Sequence, residues 1–242
     1  MLVFLYSLIS YAIGVGSSAY LVGWMAGILP GAYGGPLGDT GGAGLAWNFG
    51  LLALFGIQHS LMARPGFKRW LTNTVPAAAE RSTYVLMTGV VIFLMVGFWT
   101  PQPSPAWQVN GAPAVVLWIL FAGGWLFMFA ATFATNHFEL FGLRQAWLHF
   151  RGRPYTELPF TRQGIYGTLR HPIQTGILIG IWCLPTMRTE NLIMSMGITI
   201  YVFIGLWFEE KDLIANFGED YQRYKAEVGG LVPKFAKNQA EN

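Results

Sequence analysis

Four stretches of this chain, Met1–Leu29, Leu45–Met62, Ser82–Trp99 and Pro113–Phe138, contain no Asp, Glu, Lys or Arg. Each approaches or exceeds the roughly 20 apolar residues a helix needs to cross a hydrocarbon core. A helix satisfies its own backbone donors and acceptors, so lipid leaves such stretches almost no other structure. The spacing predicts an all-α integral membrane protein. Composition decides one point: 11% of residues are charged, against about a quarter in a soluble domain. The first stretch lacks a basic n-region and a small-residue cleavage site, so it reads as a retained helix and not a signal peptide.

Orientation follows from where the cations lie. The segments 30–44 and 101–113 carry no Lys or Arg, whereas Arg64, Lys68 and Arg69 follow the second stretch and Arg144, Arg151, Arg153 and Arg162 follow the fourth. This places the N-terminus and the basic loops in the cytoplasm. A net charge of +3, spread through loops, argues for topology and against a nucleic-acid partner. The lone Cys183 excludes an intrachain disulfide. Gly14–Ala19 and Gly123–Gly124 are places where helices can approach closely. The aromatic, basic run from Phe141 to Leu169 is too apolar for disorder and is expected to pack over the cytoplasmic mouth, with Leu143–Phe150 as an interfacial helix.

Beyond it, Gly164–Gly176 reads GIYGTLRHPIQTG. Pro172 disfavours α conformation at His171 and suits the first helical position. A polar Arg-His step thus feeds a helix amino end, whose unpaired N–H groups suit a ligand carboxylate or phosphate. The chain turns at Pro185–Asn191 and returns through Leu192–Phe208 to Glu209 and Glu210. An antiparallel hairpin of this length returns the two carboxylates to the level of Arg170 and His171. Consecutive helical residues point about 100° apart, so one carboxylate faces a ligand while the other pairs with an arginine. The arm Pro172–Pro185 is short of a span, so the hairpin is expected to pack against the other helices without crossing fully. The expected architecture is about four transmembrane helices plus a C-terminal hairpin, five to six apolar segments in one domain over 1–242. Residues 1–140 supply spans; 141–242 supply the loop, hairpin and tail.

The order of RHP, a glycine one turn later, the acidic pair, FGEDYQRY at Phe217–Tyr224 and LVP at Leu231–Pro233 resembles the cofactor signature of isoprenylcysteine carboxyl methyltransferase and its relatives. Two further strings, QHSLMARPGFKRW with ERSTYV across Gln58–Val85 and NHFELFGLRQAWL at Asn136–Leu148, resemble the bacterial methanethiol S-methyltransferase branch and the NnrU-type membrane proteins. The resemblance spans Leu45 to the C-terminus and departs at Gln174, where many relatives carry tyrosine. It implies S-adenosylmethionine as cofactor and a small thiol as substrate. It also implies a cofactor site built from Tyr166, Arg170, His171, Pro172, Gly176, Glu209, Glu210, Tyr221 and Tyr224.

On the acceptor side the candidates are His59, Asn136 and His137. Histidine changes charge near neutral pH and can take a proton, while Glu139, three residues after Asn136, shares its face. Two other readings stand beside thiol methylation. One is an NADPH-dependent membrane reductase, with Arg151, Arg153 and Arg162 on a 2′-phosphate; the other is a non-catalytic NnrU-like membrane factor. No metal-ligand pair, Rossmann fingerprint or nucleophile elbow occurs in the sequence.

Overall fold

The structure, a computed structural model, describes residues 1–30, 41–101, 105–158 and 162–234. Most of the loop expected at 30–44, Phe160 in the expected lid, and the last residues with Lys237 lie outside them. Four helices match the four uncharged stretches: α1 (Leu2–Met25), α2 (Gly42–Ala63), α4 (Ala77–Gly97) and α5 (Ala112–Thr135). Each is long and apolar enough to cross a membrane. A short helix, α3 (Pro65–Leu71), follows α2 with Pro65 in its first turn.

Small residues decide how these helices meet. α1 lies along α4 through buried Ser7, Ser10, Gly14 and Ser17. A Cβ on Gly14 would sit 2.5 Å from Val85, and Ser82 donates to Ser7 at 2.7 Å. Such stripes let backbones close up where lipid supplies no hydrophobic drive between helices.

The hairpin differs from its expected form. Its first arm, α8 (Pro172–Trp182), is short, but the second, α9 (Thr189–Phe217), runs for 29 residues and is itself of spanning length and composition. The tip strand β2 (Thr186–Arg188) pairs antiparallel with β1 (Pro105–Gln108), which joins α4 to α5. Arg188 donates to Trp24 O at 2.9 Å at the end of α1, and Asn191 to Met25 O at 3.0 Å. The hairpin thus reaches the same end of the bundle as the α4–α5 connection, and the expectation that it stops short is replaced. A core of Trp24, Trp99, Met95, Met187, Leu184 and Met194 fills that end. α9 also continues past the acidic pair because Leu213 and Ile214 keep the helical spacing and pack on α10 (Glu219–Glu227), with the turn made at Gly218, φ 55°.

At the other end, α5 stops at Asn136, whose φ of 120° is the one positive value outside glycine among the described residues. The chain restarts as α6 (His137–Leu140), turns at Gly142, and forms α7 over Leu143–Phe150, the expected interfacial helix. Trp147 and Phe150 of α7 pack on Phe4 of α1 while staying exposed. The segment beyond residue 140 is therefore woven into the first: α7 on α1, α8 on α5, α9 on α2.

Candidate functional site

Pro172 opens α8, and His171 before it takes φ −126°, ψ 60°, outside the α region as the proline demands. The backbone of this step is held by the C-terminal segment. Arg170 N donates to Gly229 O at 2.8 Å and His171 N to Gly230 O at 3.2 Å, while Thr175 Oγ1 donates to Leu231 O at 3.0 Å. The Gly-Gly pair makes the approach possible. A Cβ on Gly229 would lie 1.9 Å from Val232 O, and one on Gly230 3.3 Å from Arg170 Nη2.

Glu210 gathers the side chains of this junction. Arg170 Nη2 lies 2.6 Å from its Oε1, His171 Nε2 3.1 Å, and Lys225 Nζ 2.6 Å from Oε2. Arg170 also donates through Nη1 to the carbonyls of Lys225 and Val228, tying the acid to the chain end. Glu209 is turned away from this cluster. Its side chain keeps 48% exposure and reaches only to 3.9 Å from His171 Nδ1. The two carboxylates thus have different partners, and Glu210 is the one that pairs with Arg170.

Three tyrosines close the site. Tyr166 stands in a 3₁₀ turn, Gly164–Gly167, and its hydroxyl meets Thr135 Oγ1 at the end of α5. Tyr224 OH donates to Tyr166 O at 2.6 Å, and Tyr221 and Tyr224 are both buried. Burial pushes the Tyr221 phenol up to about 12, with the Glu210 carboxylate adding to the effect. Burial also raises Tyr166; the Thr135 hydrogen bond opposes this and the Glu209 carboxylate reinforces it. These phenols therefore remain protonated at neutral pH. Beside them an open groove of roughly 480 Å³ is lined by Arg170, His171, Glu210, Trp207, Gly230 and Val232, among others. Of the nine expected cofactor residues only Arg170, His171 and Glu210 line it; Tyr166, Pro172, Gly176, Glu209, Tyr221 and Tyr224 do not. Gly176 faces α5, where a Cβ would lie 2.6 Å from Gly124 O, so its visible work is helix contact.

The acceptor-side candidates lie apart from one another. His59 has Tyr84 OH 2.7 Å from Nε2 and Thr88 Oγ1 3.2 Å from Nδ1, stacks on Phe55, and neighbours Tyr201 of α9. His137 is 2% exposed, with Tyr11 OH and Thr132 Oγ1 at 2.8 and 2.7 Å from its two ring nitrogens and Phe133 stacked on it. It sits in an aromatic box with Phe129 and Phe141. Asn136 accepts from Glu139 N at 3.0 Å, capping α6. It lines a second cavity of roughly 700 Å³, bounded by α3, α4, α6 and α7. Glu139 there accepts from Arg144, Gln145 and Tyr155 at 2.7–2.8 Å.

Sequence reasoning passed over Lys225, Thr135 and the Gly229–Gly230 pair. A Gly-Gly step just before LVP was the available signal for the last. Lys225 and Thr135 carried none, since both meet their partners only through tertiary contact.

Comparison with known proteins agrees with the resemblance read from the motifs. The family model described as NnrU protein matches residues 49–233. A methanethiol S-methyltransferase of Mycobacterium tuberculosis is 40% identical over 234 residues, covering 96% of each chain. Methanethiol S-methyltransferase 2 of Bradyrhizobium diazoefficiens is 39% identical over 242 residues, 99% of this chain and 93% of its own. Nurim of Rattus norvegicus is 30% identical over 180 residues, 71% of this chain and 68% of its own. No solved structure matches. With the family match running from within α2 to the Gly-Gly clasp and relatives aligned along nearly the whole length, this membrane chain belongs to the NnrU protein family.

Proposed function

We propose that this protein transfers a methyl group from S-adenosylmethionine to a small thiol, converting methanethiol to dimethyl sulfide. The observation that carries the reading is the divided acidic pair: one carboxylate holds Arg170, His171 and Lys225, and the other approaches His171 no closer than 3.9 Å. Relatives named methanethiol S-methyltransferase along nearly the full chain support the thiol as acceptor.

The site's chemistry suits a cofactor bearing a carboxylate, an ammonium and a sulfonium. The α8 amino end and His171 offer donors to the carboxylate. Glu209 offers an acceptor for the ammonium or ribose hydroxyls, and Trp207, which lines the adjoining groove, offers aromatic surface to a cation. When bound, the cofactor supplies an electrophilic methyl group. The protein's part is positional. Arg170 and Glu210 fix the junction, Thr135 orients the Tyr166 phenol, and Tyr221 and Tyr224 keep water out. Water exclusion matters because a cationic donor and an anionic thiolate cancel charge as they react. Holding sulfur and methyl in line can account for several kcal/mol of the barrier. The same reading puts the N-terminus and the mouth of the site on the cytoplasmic face of a bacterial inner membrane.

The decisive assay supplies purified protein with S-adenosylmethionine and methanethiol and measures headspace dimethyl sulfide. Formation of the sulfide, with thermal protection by S-adenosylmethionine and none by NADPH, is the expected result. Protection by NADPH alone would transfer the site to the reductase reading, and protection by neither would leave a non-catalytic factor.

For the proton, His59 is our acceptor. Tyr201 beside it precedes Glu209 by eight residues on α9, about 12 Å along the axis, which leaves room for the thiol between base and cofactor. Asn136 and His137 belong to the walls on this reading. His59→Ala is expected to lower turnover at neutral pH, leave cofactor affinity unchanged, and regain rate as pH rises and solvent supplies thiolate. A pH–rate profile that overlays the wild type would remove His59 from the mechanism.

A further inference from the structure

The cavity bounded by α3, α4, α6 and α7 touches the proposed reaction site only through Thr135 and Asn136, and its cations have no part in that reaction. Its wall brings Lys68 and Arg69 of α3, Arg81 of α4 and Arg153 beyond α7 around one volume of roughly 700 Å³. That is within the roughly 300–1,000 Å³ of small-ligand pockets. Two carboxylates share the wall, Glu80 and Glu139, but Glu139 already answers Arg144 at 2.8 Å. Among the described residues, Lys68, Arg69 and Arg153 pair with no carboxylate. Arg81 spends one N–H on Leu140 O at 2.7 Å and lies 4.8 Å from the Tyr84 ring, which leaves guanidinium donors over. Cations converging on a concavity with low-dielectric walls focus a positive potential there and favour an anion. A sulfonium cofactor suits such a wall poorly, which separates this cavity from the acidic pair.

The rest of the wall says what kind of anion. Ala77, Ala78, Leu140 and Leu148 make much of it apolar, so the ligand carries apolar mass beside its charge. The cavity also lies at the level of exposed aromatic side chains, Trp70 on α3 and Trp147 and Phe150 on α7. Trp at the end of a bundle marks the headgroup layer of a bilayer, where anionic lipid is concentrated. We infer that this cavity binds the headgroup of an anionic phospholipid, with Lys68, Arg69, Arg81 and Arg153 on the phosphodiester and the apolar wall on the glycerol backbone.

The test uses the full chain in nanodiscs of equal phosphatidylglycerol and phosphatidylcholine. The protein is released into mild detergent, and retained lipid is counted by native mass spectrometry. Wild type is expected to retain phosphatidylglycerol preferentially, and Arg69→Gln/Arg153→Gln, at two exposed positions, to reduce that preference roughly tenfold. Thermal unfolding in lipid-free detergent checks that the variant is folded; if it is not, Arg153→Gln alone is measured, with a smaller loss expected. Equal retention of the two lipids by wild type overturns the inference, as does an unchanged preference in a folded variant. Displacement of the lipid by an equal concentration of glycerol 3-phosphate also overturns it, since the site would then read free phosphate. Because none of these readouts involves methyl transfer, failure here and failure of the thiol reaction are separate results.

Discussion

Glu210→Ala is expected to destabilise the protein by about 3–5 kcal/mol, the range seen when one partner of a buried ion pair is removed. The Arg170 side chain is 9% exposed and its remaining partners, backbone carbonyls and the Tyr221 phenol, carry no charge, so the substitution strands a buried guanidinium. It also frees Lys225 and His171 from their shared acid, and with them the clasp that holds residues 225–231 against the RHP step. Thermal unfolding should show a large drop, and S-adenosylmethionine should no longer protect. Glu209→Ala is the contrast. With no ion-pair or hydrogen-bond partner among the described residues closer than the 3.9 Å approach to His171, its loss should change unfolding by less than about 1 kcal/mol while weakening cofactor affinity. Equal stability losses for the two variants would reject the division of labour assigned to the pair.

The second large effect is expected at the seam between α5 and α8. A Cβ on Gly124 would lie 2.6 Å from Gly180 N and 2.8 Å from Gly176 O, and one on Gly176 would lie 2.6 Å from Gly124 O and Met128 N. These neighbours are backbone, which cannot rotate aside, so the helices must separate. Gly124→Ala is expected to cost about 1–3 kcal/mol through overpacking, and Gly124→Leu to undock α8 and carry the RHP step with it. Gly123→Ala serves as an internal control, because nothing lies within 4 Å of its Cβ. The pair is measured by thermal unfolding and by cofactor protection. If the two alanine variants behave alike, the seam is not what positions the site.

Much of the fold was legible because lipid enforces it. Uncharged stretches of spanning length admit only helices, and α1, α2, α4 and α5 lie close to where charge absence put them. Leu143–Phe150 emerged with its expected ends, since its apolar and polar groups alternate to suit an interface. The hairpin was misjudged for a reason that length cannot reveal. A short arm reads as a partial crossing, yet three residues of β2 paired with β1 carry the turn to the far end of the bundle.

The site divides the same way. Proline stereochemistry and the 100° step between neighbours on a helix are local rules, so the chain by itself determined that His171 leaves the α region and that Glu209 and Glu210 face different partners. Which carboxylate takes Arg170, that Lys225 shares it, that Thr135 holds Tyr166, and that Gly176 serves a helix seam were decided only by the tertiary structure. Each depends on the rotation of α9 and the closeness of α5 to α8, quantities set by packing of residues far apart in sequence. The two histidines illustrate this most sharply. Both have a hydroxyl near each ring nitrogen, but the hydroxyls of Tyr11, Tyr84 and Thr88 come from other helices, and no spacing along the chain could have supplied them.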